Sequence, residues 1–489
     1  MRSMGRSSLQ GMTVAALATM LAACASFPGA RLETSAVQAA TAGSLWITNI
    51  SLVDVATGQV LPSTDVDIRG PTIHALLPAD SVPDEGVQRI DGTGKFLIPG
   101  FWDMHVHVAD PSYLTQFVAN GVLGVRDMGG GLEGPGNGCE SMRLGLLQAL
   151  RAEVASGIRV GPDMVLAGPA LSGSGWPTSL PARSPAEAVA AVDLLSRQAA
   201  DFVKVYEKIP LEAYLALAAE ANARRLPFAG HVPESVELLR AIREGQRSIE
   251  HLRDPLLMCF TDDSEELERF FREDDWGEAD RLWGREAHAA CPLILEALRD
   301  RPAWITPTLV VEKSKVAVED PVFVRDARRH VLPQSVQAGL LEHVRNKLAQ
   351  DPKKRRSEHL WWRTQQVLVG RLGRKGVRLM AGTDAACEGG LPGHALHDEL
   401  AELVAAGLSP QQALRAATSE PAHYLGRADE GGIGPGMRAN LLVLRANPLE
   451  DIQNTREIVA VILQGRLLDR PALDALGGAN TMHLPRQTP

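Results

Sequence analysis

Between residues 98 and 430, short apolar runs of strand character alternate with amphipathic helical stretches, and this alternation limits the fold more tightly than any other feature. The runs lie at 99–107, 122–128, 164–168, 201–206, 227–231, 248–251, 304–310 and 378–384. Helical stretches such as Leu211 to Arg225, Pro233 to Glu244, His397 to Ala406 and Pro410 to Thr418 separate or follow them. Alternation of this kind is the pattern of parallel βα units. Eight runs is the number that a (β/α)8 TIM barrel requires, and in such a barrel the carboxyl ends of the strands build the active site.

Five of these runs end in residues able to hold a metal. His105 and His107 close the first, Lys204 lies in Phe202-Val203-Lys204-Val205-Tyr206, His231 follows Phe228-Ala229-Gly230, His251 follows Ser248-Ile249-Glu250, and Asp384 ends Met380-Ala381-Gly382-Thr383-Asp384. Side chains on a strand repeat every two residues, so the imidazoles at 105 and 107 leave one face and can grip one ion. Metal-assisted hydrolysis needs a Lewis acid and a bound water whose pKa falls to about 7. Neutral imidazoles and carboxylates supply such ligands.

Lys204 is the odd member, because an ammonium repels cations. Two readings stay open from the residues alone. Its neutral amine has captured CO2 as a carbamate that bridges two divalent cations, or it pairs with Asp384 in a metal-free barrel. In the first case, two cations set against a carbamate, Asp384 and one hydroxide leave about one positive charge, which favours an oxyanion as it forms.

The flanks have a different texture. Residues 43–97 and 431–472 read as short alternating strands and turns, and together predict one small β-sandwich beside the barrel at 98–430, with a tail at 473–489. Residues 1–24 read as an export signal: Arg2 and Arg6 precede the apolar stretch Met12 to Leu21, and Leu21-Ala22-Ala23-Cys24 resembles the lipobox of bacterial lipoproteins. Lipid on Cys24 would then be the only membrane attachment, with residues 25–42 as a flexible tether and the enzyme in the bacterial cell envelope facing the periplasm.

A formal charge of −9 argues against a nucleic-acid surface. Export permits disulfides, and of Cys139, Cys259, Cys291 and Cys387 the preferred pair is Cys259 with Cys291, with Cys387 incidental. Two long connections, 256–302 with Glu265 to Arg285 and 312–374 with Trp361 and Trp362, are read as lid or pocket walls.

The chain resembles the amidohydrolase superfamily, and most closely its imidazolonepropionase-like and prolidase-like dipeptidase branch. The residues that carry the resemblance are Ile98 through His107, Gly124-Val125-Arg126-Asp127, Phe202 through Tyr206, Gly230-His231-Val232-Pro233, Ile249-Glu250-His251, Gly382-Thr383-Asp384 and the tail from Gly432 to Leu449. It covers about residues 44 to 470. It implies that His105, His107 and Asp384 hold one metal, that His231 and His251 hold the second, and that carboxylated Lys204 bridges them. Zinc is the usual cation, and Asp384 would act as general base for a bridging hydroxide. Asn440 departs from the Asp that the family often carries there.

Around the metals, Tyr206 and His394 are read as substrate contacts and Arg253 as a carboxylate clamp, while Arg126 and Asp127 are expected to pair with each other. The function expected is hydrolysis of an amide-type C–N bond in dipeptides or N-acyl amino acids, by a chain for which a homo-oligomer is open. Lactone, carbamate or phosphotriester hydrolysis would use the same site, as would a metal-assisted isomerase or decarboxylase, and a non-catalytic envelope binding protein is the reading from another class.

Overall fold

The computed structural model describes residues 44–131, 139–174, 178–252 and 292–477. The export signal with Cys24, the tether, Arg253, the stretch Glu265 to Arg285, and Cys259 and Cys291 lie outside these residues. Among the described residues no helix is long and apolar enough to cross a membrane.

The two terminal segments combine in one eight-stranded sheet. Its path runs from Arg466–Asp469 through Ile458–Leu463 and Leu441–Leu444 to Phe96–Pro99, Ser44–Asp54, Gln59–Arg69 and Thr72–Pro78, with Gln88–Asp91 paired to Ser44–Asp54. The seam between the segments is antiparallel, with Leu441 opposite Pro99 and Val443 opposite Leu97. Alternation along these strands divides their side chains between two cores. Leu97, Leu441, Val443 and Ile462 join Ile47, Val66 and Ile68 in a core of the sheet's own, whereas Ile98, Leu442, Leu444 and Val461 face the main core of the chain. Full burial of each such side chain contributes about 1.5–3 kcal/mol, so the sheet is anchored to the rest of the chain by packing as well as by chain connectivity.

The rest is α/β. Seven parallel strands carry the site: β1 (Phe101–Val106), β2 (Val122–Asp127), β3 (Asp163–Leu166), β4 (Val203–Val205), β5 (Phe228–Gly230), β6 (Ser248–Glu250) and β7 (Trp304–Thr306). They fall into a three-stranded sheet, β1-β2-β3, and a six-stranded one in which the short strands Leu180–Pro181 and Leu171–Ser172 precede β4-β5-β6-β7. One continuous eight-stranded sheet is not what the hydrogen bonds draw. Between β3 and β4 the link is Asp201 N to Leu166 O at 2.8 Å. The eighth expected run, 378–384, makes isolated bridges instead of a strand, from Leu379 to Ile305 on one side and from Ala385 to Val106 on the other. A regular strand cannot continue through Asp384, whose φ is +57°.

Helices follow the strands. Ser409 and Gln412 form a reciprocal capping box with Pro410 in the first turn, and the helix Pro410–Ala416 starts where that motif dictates. The run expected as strand to residue 310 stops at Thr306, because the helix Leu309–Ala317 begins there instead. The long connection after it is helical, with Gln334–Leu348 and Pro352–Arg374, the second capped by Asp351.

Candidate metal centre

His105 lies on β1 and His107 one residue past its end. Their Nε2 atoms converge on one oxygen of Asp384, at 3.3 Å from His105 and 3.1 Å from His107. The three donor atoms all lie within 4.8 Å of one another, the spacing of a shared cation. Asp384 is brought there by its own backbone: its N–H donates to His105 O at 2.7 Å, and the Cys387 N–H donates to its carbonyl at 2.8 Å.

His231 and His251 follow β5 and β6 directly, and their rings stand 5.0 Å apart, with His251 also 4.7 Å from His105. Lys204, at the centre of β4, is buried. His105, Asp384, His231 and Lys204 are the neighbours that act electrostatically on His251. Burial first, and then the neighbouring imidazole of His105, hold His251 well below the usual histidine range. That keeps it neutral, the form a metal needs. Gly230 makes room for Lys204: its φ is +136°, and a Cβ there would stand 2.1 Å from Val205 O and 3.0 Å from Lys204 Cδ.

Three of the imidazoles, those of His105, His107 and His251, are fixed through Nδ1. His107 Nδ1–H donates to Gly129 O at 3.1 Å, His105 Nδ1–H to Glu250 Oε2 at 2.9 Å, and His251 Nδ1 lies 2.6 Å from Thr308 Oγ1. With Nδ1 engaged, Nε2 of His105 and His107 is left with its lone pair toward Asp384, the arrangement in which a carboxylate or carbonyl orients a metal-binding histidine. Three oriented imidazoles and a carboxylate suit zinc or a similar divalent cation. The donors of His105, His107 and Asp384 fit one such cation.

Glu250 is the residue that sequence reading missed. Its other oxygen accepts from Arg126 Nη2 at 2.7 Å and from Ser248 Oγ, and Arg126 also donates to Met104 O at 2.7 Å. Burial works against the Glu250 charge, but Arg126 and then His105 outweigh it and keep the carboxyl below its usual range. The expected Arg126–Asp127 pair is therefore corrected: neighbours on a strand point to opposite faces. Asp127 accepts instead from the N–H groups of Val108 at 2.8 Å and Gly129 at 3.2 Å. Asp103 was missed too. It accepts from Thr383 Oγ1 at 2.7 Å and Thr383 N at 3.0 Å, and burial pushes its carboxyl up to about 7.

Of the substrate contacts expected, Tyr206 stacks on His231 with ring centroids 4.5 Å apart. His394 opens the helix His394–Ala405. The charges that act on it are Arg328, Asp398, Arg456 and Asp326, a set separate from the histidine cluster, and burial followed by Arg328 pushes it down to about 4. Cys387 is not incidental. It forms a disulfide with Cys139.

The sequence profile of the Amidohydrolase family matches residues 96–468, which span every residue of this centre. The chain belongs to the amidohydrolase family. Membership of this family supports a metal-dependent hydrolase.

Among solved amidohydrolase-like structures, a bottromycin amidohydrolase superposes with a TM-score of 0.67 at 24% identity, over 88% of each chain. A putative prolidase from Bifidobacterium longum superposes with a TM-score of 0.65 at 20% identity, over 89% of this chain and 98% of that one. These likenesses describe the fold. An adenine deaminase from Gluconobacter oxydans (strain 621H) is 42% identical over 73 residues, 15% of this amidohydrolase. That match spans only 12% of the deaminase's length.

Proposed function

We propose that this amidohydrolase uses two divalent cations, with zinc as the metal, to cleave an amide-type C–N bond in small substrates such as dipeptides or N-acyl amino acids. The parallel strands would act as a (β/α)8 barrel with the site at its carboxyl-terminal mouth. The observation that carries the reading is the meeting of His105, His107 and Asp384 with His231 and His251 beside the buried Lys204. Bound cations would polarise the scissile carbonyl and lower the pKa of water, and about 10 kcal/mol of barrier reduction is within the reach of such sites.

The chain's own residues do the rest. Lys204, carboxylated on Nζ, would join the two ligand sets, and its burial favours a form other than a bare ammonium next to cations. Asp384 turns one oxygen to His105 and His107 and would take up a proton on its carboxylate, then return it to the leaving amine. Tyr206, stacked on His231 at the rim, would donate its hydroxyl to the substrate. The putative prolidase and a Xaa-Pro dipeptidase among the structural neighbours favour the dipeptide class over lactones or phosphotriesters.

One preparation, expressed with zinc and bicarbonate, tests the reading. We expect close to two equivalents of metal, turnover of some members of a dipeptide and N-acyl amino acid panel, and loss of both turnover and one metal in Lys204→Ala. Less than half an equivalent of metal would favour a binding protein, and turnover of lactones or phosphotriesters alone would replace the amide bond in this proposal. We also propose export and lipid attachment at Cys24. Palmitate labelling of the full chain, absent in Cys24→Ala, is the expected result, and equal labelling of both would refute it.

A further inference from the structure

The Cys139–Cys387 disulfide joins residues 248 positions apart, and each end abuts a different part of the same metal-ligand set. On one side, Cys139 stands two residues before Ser141, whose hydroxyl lies 3.3 Å from His107 Nδ1. Ser141 N–H donates to Gly129 O at 3.1 Å, the carbonyl that also accepts from His107. The Ser141 side chain further bonds to buried Asp127. On the other side, Cys387 stands three residues after Asp384 and donates its own N–H to the Asp384 carbonyl at 2.8 Å.

Asp384 needs such support. Its φ of +57° and the +49° of Glu388 put two non-glycine residues of one short turn in the left-handed region. Residues in this region persist only where the surrounding structure over-determines them. Past Asp384 the turn meets the end of β1 through the isolated Val106–Ala385 bridge and the bond from His107 N to Ala385 O at 2.6 Å. The N–H groups of Thr383 and Asp384 also donate to His105 O, at 3.1 and 2.7 Å, which ties the turn to β1, and the disulfide adds a covalent tie to the loop behind His107.

We infer that the Cys139–Cys387 disulfide is a positioning device for the His105–His107–Asp384 metal site: it holds the Asp384 turn against the loop behind His107, so that the oxidised protein has the three donors preorganised. The inference rests on the metal reading given above. His231 and His251 instead follow β5 and β6, and Lys204 lies on β4, so a cation held there would rest on strands that do not carry this link. The consequence is selective: breaking the disulfide weakens one cation site and spares the other.

The test is cobalt titration of the metal-free full chain, followed by visible absorption, in the wild type and in the Cys139→Ser/Cys387→Ser double variant. Loss of residues that orient metal ligands typically weakens binding roughly 10–100-fold, and a weakening of this size is expected for one of the two cobalt equivalents, with an altered spectrum for that ion alone. At limiting metal, kcat should fall with KM little changed. Should the double variant fail to fold, folded wild type reduced with a water-soluble phosphine and titrated in the same way gives the same reading. Two cobalt equivalents bound with wild-type affinity and spectrum, in either form without the disulfide, would overturn the inference. A wild type that binds no cobalt would instead remove the metal reading itself.

Discussion

Arg126 and Glu250 form an ion pair of 2.7 Å in which neither side chain has any exposure to solvent. The pair is held on all sides, by Ser248, Met104 O and the ring faces of Phe202 and Tyr424 around the guanidinium. Its outer end is His105. A buried charge that loses its partner costs about 3–5 kcal/mol, so Glu250→Ala should lower the unfolding free energy by that order, read by urea denaturation. Glu250→Gln keeps the shape and a donor-acceptor group but gives up the charge that orients His105. We expect it to fold and to bind metal roughly 10–100-fold more weakly. Wild-type metal affinity in Glu250→Gln would mean that His105 is oriented by packing alone.

Asp384 is assigned two tasks, ligand and base, and the variant Asp384→Asn separates them. The amide retains an oxygen to face His105 and His107 but cannot accept a proton. Turnover should fall by about 10²-fold or more, the usual size of a general-base contribution, while most of the metal stays bound. Unchanged turnover would place the base elsewhere, and loss of both metals would make coordination the dominant role.

The candidate ligands were legible in the sequence because they lie in or at the ends of apolar runs, and strand ends are where parallel architectures place chemistry. His105 and His107 could be assigned to one face from spacing alone. Glu250 was not legible, because a glutamate beside a histidine reads as an ordinary polar residue until Arg126, 124 positions away, is seen to meet it. The disulfide escaped for a similar reason: pairing over 248 positions is a property of the folded chain, and sequence cannot fix connectivity. The eighth run shows where pattern reading overreaches. Its apolar residues are those of a strand, but at Gly382 a Cβ would stand 2.7 Å from His105 Cβ, and the left-handed Asp384 follows. Close approach to β1 takes the place of regular pairing.

Gly230 offers a prediction about that crowding. With φ at +136° and Val205 O only 2.1 Å from the site of a Cβ, Gly230→Ala needs a shift of the β4–β5 backbone, at a cost of about 3 kcal/mol from strain and overpacking together. Because Lys204 Cδ is the third neighbour, the shift should also displace the lysine. Expected outcomes are a lower melting temperature and reduced metal content after loading with bicarbonate. A variant with wild-type stability would show that β4 and β5 separate freely at this point.

Glu388 should make stability depend on pH between about 4.5 and 7. It follows Cys387 in the turn beyond Asp384, with His343 Nε2 3.8 Å away and a side chain 20% exposed. Burial pushes its carboxyl up to about 7, against a partial offset from Lys315. The folded state therefore holds a proton that the unfolded chain releases at its ordinary, lower pKa. The stabilisation is complete below that lower value and is lost as the pH rises through the folded-state value near 7. A shift of this size corresponds to about 3 kcal/mol at its upper limit, since one pKa unit is 1.36 kcal/mol. Glutamine mimics the protonated acid at every pH. Glu388→Gln should thus match the wild type near pH 4.5 and exceed it in urea denaturation at pH 8, with the gap opening as the pH rises. Equal stability of the two proteins at pH 8 would show that the charged Glu388 is well accommodated, with Lys315 and Lys347 supplying the compensation.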